Sequence, residues 1–466
     1  MAGITTNVTN QTPPIQPTTE TTCSTRAIVK SSKIMVLPFS CYRPHNFDQH
    51  QIHLGLRVYS GDMKTDLLSL AAASLAIVSP TAAFADEGND LPIDPYLDLR
   101  YRLEVVDQAN LPEDATASTL RIRGGVETDE WNGLSALVEG EAVVRIGPED
   151  FNDTTNGLVQ FPVVADPSDV LLNRAFVRWR PDPAIEAVAG RQKVNLDNQR
   201  WIGSVDWRQN DQTFDLAQLS VKPVEGASIQ YFHAWRVNRI FGLDSPNGIW
   251  RDNDIHALNA SYAIPSVGTV SAYGYFLDIP DAPAASSQTL GLRLAGAQPV
   301  SSSTKILYAA EYANQRDLGP NPGNFSLDYL LLEPGVSTGG FTAKVGFERL
   351  EGNGSTGLQT PLATLHAFNG WADKFLATPP NGLRDFYGDV SYRFGDGSPL
   401  KGLLLRGIVH DFNATETDLA YGREVNLLAV YPIRKNLTVL AKFAHYEAEG
   451  FSVDTTKGWL QLQLSF

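Results

Sequence analysis

From Tyr96 onward, apolar and polar side chains alternate with a period of two over segments of about ten residues, the signature of strands with one greasy and one wet face. Tyr96–Gln108 places Leu97, Leu99, Tyr101, Leu103 and Val105 on one side, and Asp98, Arg100, Arg102 and Glu104 on the other. Charges in mid-strand need water on that side, while the opposite face needs oil. Ala117–Asp129 repeats the pattern with Leu120 and Ile122 against Arg121, Arg123 and Glu127, and Gly133–Ile146 with Glu139, Glu141 and Arg145. Further strands are predicted over Asp169–Arg180, Ala184–Leu196, Thr213–Val224, Ala227–Phe241, Ile255–Pro265, Thr269–Ile279 and Gln288–Val300. The series ends with Thr304–Gln315, Ser326–Val336, Gly340–Glu351, Leu383–Phe394, Gly402–Phe412, Arg423–Ile433, Asn436–Glu449 and Lys457–Phe466, making eighteen in all.

The connections sort by parity. Every second one is tight and turn-rich, as at Glu130-Trp-Asn132, Asp182-Pro183, Glu225-Gly226 and Arg434-Lys435. The intervening ones, such as Gly147–Ser168, Asp197–Gln212 and Gly352–Gly382, are longer. Short turns at one end and long loops at the other are what an outer-membrane barrel shows; a soluble sandwich or propeller has no reason to sort its loops this way. The expected fold is therefore all-β, a transmembrane antiparallel up-and-down barrel of about eighteen strands over residues 86–466, with an aqueous lumen. Aromatics near strand ends (Tyr96, Trp179, Trp235, Tyr262, Tyr312, Tyr392, Tyr431 and Trp459) suit interfacial girdles. The closing segment ends on Phe466, like the terminal strand through which outer-membrane barrels engage the barrel-assembly machinery; outer-membrane lipid is the other expected partner.

Residues 1–62 are rich in Thr, Ser, Pro and Gln without sustained periodicity, and read as a disordered or wrongly translated upstream extension. Met63-Lys-Thr-Asp66, the apolar run Leu67 to Val78, Pro80 and Ala83-Phe84-Ala85 then form a signal peptide over 63–85, with Met63 as the expected start. Its apolar run is too short to span a bilayer as a helix. The mean hydropathy of -0.17 fits strands that are half polar. A net charge of -15 argues against nucleic acid, whose phosphates need a basic footprint. Cys23 and Cys41 both precede the barrel, which excludes a disulfide scaffold and cysteine-bound metal there.

Two stretches carry a family resemblance: Gly190-Arg-Gln-Lys-Val-Asn-Leu-Asp-Asn-Gln-Arg-Trp-Ile-Gly-Ser-Val-Asp-Trp-Arg-Gln209 leading to Thr213-Phe-Asp215, and Thr364-Leu-His-Ala-Phe-Asn-Gly-Trp-Ala-Asp373 continuing to Gly382-Leu-Arg-Asp385. Both resemble the alginate-export family of bacterial outer-membrane proteins. The resemblance implies an eighteen-stranded barrel and a channel, and for the best-known member an arginine-lined pore for an anionic polysaccharide. It implies a channel more firmly than a cargo, because many relatives look like general or substrate-specific porins.

The candidate pore-lining residues are Arg100, Arg102, Arg121, Arg123, Arg174, Arg178, Arg180, Arg191, Lys193, Arg236, Arg293, Arg393 and Arg406. Arginine's fixed fork of donors pairs well with carboxylates, so a ladder of them could pass acidic groups along. The cluster from Arg174 to Lys193 is the candidate electropositive stripe. The alternative is that these side chains pair with Glu104, Glu127, Glu139, Glu141 and Asp389 on neighbouring strands. The long loop 352–382 carries His366, Trp371, Asp373 and Lys374 and is a candidate constriction, or else an outward cap.

No enzyme is expected. His233, His256, His366, His410 and His445 lack metal-ligand spacing along the chain, and neither a Gly-x-Ser-x-Gly elbow nor a phosphate-binding loop is present. No cofactor or metal site is expected either. The function expected is an outer-membrane channel for hydrophilic, anionic solutes or polysaccharide. Its alternatives are a general or cation-selective small-solute porin and a plugged structural or adhesin barrel.

Overall fold

The computed structural model describes residues 93–466. The upstream extension, the signal peptide and both cysteines lie outside the described residues. Among those described, no helix is long and apolar enough to cross a membrane. The strands are β1 (Ile93–Gln108), β2 (Ala115–Thr128), β3 (Leu134–Arg145), β4 (Asp169–Asp182), β5 (Ile185–Gln192), β6 (Thr213–Val221), β7 (Ala227–Asn238), β8 (Ile249–Trp250), β9 (Asp254–Ile264) and β10 (Gly268–Asp278). They continue as β11 (Ser287–Pro299), β12 (Thr304–Asp317), β13 (Ser326–Thr338), β14 (Phe341–Leu350), β15 (Leu383–Arg393), β16 (Leu404–Asn413), β17 (Ala420–Arg434), β18 (Leu437–Ala448) and β19 (Thr455–Ser465).

Eighteen of these form a closed antiparallel barrel, each paired with its sequence neighbour. β1 pairs β19, Arg102 facing Gln461, so the sheet has no free edge. The two-residue β8 is the extra strand: it pairs with the end of β7, through Val237 with Trp250 and Asn238 with Ile249, beyond the point where β7 pairs β9. The short connections all lie at one end. One of them turns through Asn132-Gly133, between Trp131 and Leu134, with φ of 51° and 80°. Both angles are left-handed, as a two-residue hairpin turn needs. A Cβ on Gly133 would stand 2.4 Å from the carbonyl oxygen of Arg180, so only glycine fits.

The polarity of the wall is inverted relative to a soluble protein. Leu290 and Leu292 are each 55% exposed on the outside, while Thr289 beside them is 2% exposed. Arg102, Glu104 and Glu139 are buried on the inside. A charge facing the bilayer midplane costs about 2–4 kcal/mol, which drives these residues to the inner face and the leucines out. Trp179, Trp235, Tyr262, Tyr312 and Tyr392 stand exposed on the outer face. Tyr96 and Trp459 do not join them. Tyr96 donates its hydroxyl proton inward to Glu139 at 2.6 Å, and Trp459 is buried opposite Glu104 and Lys442.

Candidate functional site

Three long connections fold into the lumen: 146–168, 193–212 and 351–382. They supply its contents because the inner wall is polar and each loop brings matching charges and amides. The loop 193–212 enters from β5 and crosses to the far wall. Its Arg200 meets Glu348 of β14 at 3.0 Å and Asn369 at 2.9 Å, with its guanidinium 4.7 Å from the Phe368 ring centre. The Trp201 indole N–H donates to Glu311 of β12 at 2.8 Å, beside Tyr273 and Tyr329. On the near wall, Arg100 donates to Gln209 at 2.9 Å and to the Asp206 carbonyl at 2.8 Å, and Gln209 donates to Thr119 at 2.9 Å.

The loop 351–382 packs against it. Ile202 and Leu362 form a parallel bridge, the Gly203 amide donates to the Leu362 carbonyl, and the Thr364 amide to the Gln199 carbonyl. A Cβ on Gly203 would stand 2.2 Å from the Thr364 hydroxyl, so a side chain there would displace the hydroxyl that donates to Gln199 and accepts from the Val205 amide. The loop is pinned by Glu424 of β17, which accepts from the backbone amides of Trp371 and Ala372, and by Phe375, which stacks on Phe451 and packs against Phe412, Tyr421 and Tyr446. Asp197, Gln199, Val205, Asn369 and Asp373 all hold positive φ. Such strained backbone in non-glycine residues gathers where the surroundings enforce it, here in the two loops that meet.

At their junction lies a charged network. Asp373 receives Arg208 at 3.3 Å, Lys457 of β19 at 2.7 Å and the Nδ1 of His366 at 2.6 Å. Burial alone would raise the Asp373 carboxyl; His366, Lys457 and Arg208 outweigh it and hold the group well below the usual carboxylate range. Burial, with Lys442 and Arg208 nearby, pushes His366 well down despite Asp373. Both contacts are satisfied when neutral His366 donates Nδ1–H to Asp373 and accepts at Nε2 from the Lys442 ammonium, 2.6 Å away. That ammonium also lies 4.0 Å from the centre of Trp207 and 3.7 Å from that of Trp371. Trp207 in turn stacks on His366 at 4.6 Å and lies under Arg102 at 4.2 Å.

On the long-loop side of this junction opens a cavity of about 420 Å³. Arg208, Arg239, Lys374 and Lys457 line it, and Asp373 is its sole carboxylate among the described residues. Burial, helped by Lys457, lowers Lys374 to about 8.

The candidate pore-lining residues take three positions. Arg100, Arg102, Arg121, Arg123, Arg174, Arg178, Arg180, Arg293 and Arg406 stand on the inner face of their strands, and Lys193 begins the inward loop. Most are engaged by carboxylates: Arg121 by Asp98, Arg123 by Glu141 and Asp211, Arg174 by Glu139, Arg178 by Glu127, Arg180 by Glu186, Lys193 by Asp206 and Asp211, Arg293 by Glu311, and Arg406 by Asp389. Arg393 is exposed at the short-turn mouth, 3.4 Å from the Gly402 carbonyl. Arg191 and Arg236 do not face the lumen. Arg191 pairs in register with Ala175 and Asp215 on the outer parity, and an extra residue in β7, Trp235, turns Arg236 outward onto the same Asp215. The stripe expected from Arg174 to Lys193 is thus split between two faces of the wall.

Of the constriction candidates, His366, Trp371 and Asp373 lie buried in the junction and Lys374 in the cavity wall. Sequence reasoning passed over Arg200, Trp201, Trp207, Arg208, Lys442 and Lys457. The available signal was Arg200-Trp201 and Trp207-Arg208, two cation–aromatic pairs in a segment without periodicity. Among the described residues one cluster has metal-ligating proximity, His233, Asp254 and His256, and it lies on the outer wall.

No family model matches the chain, and no curated protein matches it by sequence. Solved structures do. OpdL of Pseudomonas aeruginosa is similar with a TM-score of 0.62 at 16% identity, over 80% of this chain and 98% of that one. The outer membrane protein OpdK of Pseudomonas aeruginosa gives 0.61 at 14%, over 80% and 98%. OccAB2 of Acinetobacter baumannii gives 0.64 at 14%, over 81% and 99%. The likeness shows the fold, an outer-membrane β-barrel, and the apolar outer wall places the chain in the outer membrane. It also overturns the resemblance to the alginate-export family, since the similar barrels are Opd and Occ proteins. The two stretches that carried that resemblance are the two loops that meet in the lumen. In this chain Arg200, Trp201 and Arg208 of the first stretch and the backbone amide of Trp371 in the second meet acidic groups of the wall.

Proposed function

We propose that this chain is a porin through which small hydrophilic solutes cross the outer membrane passively, selected at the junction of loops 193–212 and 351–382. The observation that carries this reading is a closed barrel with an ionised inner wall, narrowed from within by loops that end in a charged cavity. Selection by such a device needs no covalent chemistry: fixed charges at a constriction bias diffusion. The likeness to the Opd and Occ barrels supports it. A polysaccharide cargo rested on the alginate-export resemblance and goes with it.

The finer reading is a preference for small anionic solutes. Along the wall the arginines are neutralised by neighbouring acids, so they contribute little net field. In the cavity, Arg208 is matched by Glu104 and Lys457 by Asp373, while Arg239 and Lys374 have no carboxylate partner among the described residues, and these two charges are the excess an entering solute meets.

A second reading, a plugged structural barrel, is favoured by one observation. Trp201, Ile202, Leu362, Trp371 and Phe375 form a continuous apolar cluster inside the lumen. Reconstitution of the purified protein in a planar bilayer across a salt gradient separates the two. Discrete conductance steps with a reversal potential on the anion side are expected. A correctly folded barrel without steps above the bare bilayer would reject the porin.

A further inference from the structure

On the outer wall, at the long-loop end, His233 of β7 and His256 of β9 stand directly opposite each other in register. Their rings are nearly parallel, at 14°, with centroids 4.7 Å apart. Both aim Nε2 at the same oxygen, Oδ1 of Asp254, at 3.0 and 2.9 Å. All three side chains are exposed on the outer surface. The Tyr231 hydroxyl lies 2.7 Å from Nδ1 of His256.

The bland reading is two imidazoles hydrogen-bonded to one carboxylate. It uses both lone pairs of one carboxylate oxygen and keeps the two stacked rings neutral. A divalent cation can take the same two nitrogens and the oxygen as ligands, its charge replacing both protons. Nitrogen and oxygen ligands sit about 2.0–2.2 Å from a zinc-like ion, which leaves adjacent ligands of a tetrahedral site about 3.4 Å apart. The two nitrogen–oxygen separations, 3.0 and 2.9 Å, fall a few tenths of an ångström short of that, an opening that small side-chain rotations supply. Two imidazoles and one carboxylate suit a borderline transition metal, whereas magnesium and calcium prefer all-oxygen shells.

We propose that His233, Asp254 and His256 form a site for a divalent transition-metal ion of the zinc class, with Tyr231 as the positioning residue. Tyr231 accepts Nδ1–H of His256 and so presents the Nε2 lone pair to the metal. The site lies where β7 parts from β9 to pair with β8, so the bound ion clips that fork. Spacing along the chain does not reveal it, because the ligands meet only through the register of two strands.

The experiment is calorimetric titration of the full chain in detergent micelles with Zn²⁺. The H233A/H256A variant should take up one equivalent fewer than the wild type. The Y231F variant should keep the stoichiometry and bind about 10–100-fold more weakly, with its thermal midpoint in EDTA unchanged. Saturating Zn²⁺ should raise the wild-type midpoint and leave that of H233A/H256A unmoved, and Mg²⁺ should raise neither. Equal Zn²⁺ uptake by wild type and H233A/H256A overturns the site. Undiminished affinity in Y231F overturns the positioning role.

Discussion

The ammonium nitrogen of Lys442, on the inner face of β18, lies 3.7 Å from the ring centre of Trp371 in the loop 351–382. The same nitrogen holds Nε2 of His366, so one lysine ties the barrel wall to two points of the loop. A desolvated cation–π contact is worth about 2 kcal/mol or more, and the charge-assisted bond to His366 adds to it. K442A should therefore loosen the loop, lowering the thermal unfolding midpoint and raising single-channel conductance, while K442R retains part of both. Unchanged conductance and midpoint in K442A would remove Lys442 as the tie.

Arg200 and Glu348 form an ion pair with both side chains almost fully buried. Removing one partner strands the other charge, at about 3–5 kcal/mol, whereas replacing both with apolar groups of similar size restores much of the loss. Urea unfolding of R200M, E348M and R200M/E348M should show two strongly destabilised single variants and a milder double one. Additive losses would mean the two residues act independently.

Lys374 offers a pH handle. Its ammonium is lowered to about 8 by burial, so it is mostly charged at pH 7 and mostly neutral at pH 9. Because deprotonation removes positive charge from the cavity, anion preference should fall as pH rises through about 8. The reversal potential of wild-type channels should move toward zero across that interval, and K374Q should start lower and respond less. A wild-type profile that is flat from pH 7 to 9 would exclude Lys374 from the path.

The two faces of the wall can be told apart by charge removal. R174A removes the arginine hydrogen-bonded to Glu139 on the inner face, leaving only Arg123 at 3.9 Å, and should shift selectivity toward cations. R191A, whose side chain meets Asp215 on the outer parity, should leave the reversal potential where it was. Equal shifts in both would put Arg191 back in the lumen.

The strands were legible because a wall with oil on one side and water on the other forces a strict alternation, as in Leu97, Leu99 and Tyr101 against Asp98, Arg100 and Arg102. β8 was not, since Ile249-Trp250 is too short to show a period. Arg191 was misplaced because Ile185, Ala187 and Ala189 differ too little from Glu186, Val188 and Gly190 to declare a face. Arg236 was misplaced because an extra residue in the strand leaves no mark in the sequence. The inward course of 193–212 is set by a lumen that exists only after closure, so Arg200 and Arg208 found their partners 148 and 104 positions away in the chain.

The seam between β1 and β19 carries a consequence for assembly. Arg102 takes its amide partner from Gln461, 359 positions later, and the same late strand supplies the Lys457 that meets Asp373. The same strand therefore closes the wall and holds the inner loop. Without it the edges of β1 and β18 would stand unpaired and Asp373 would lose Lys457, so closure of the sheet and seating of the loop depend on one set of residues.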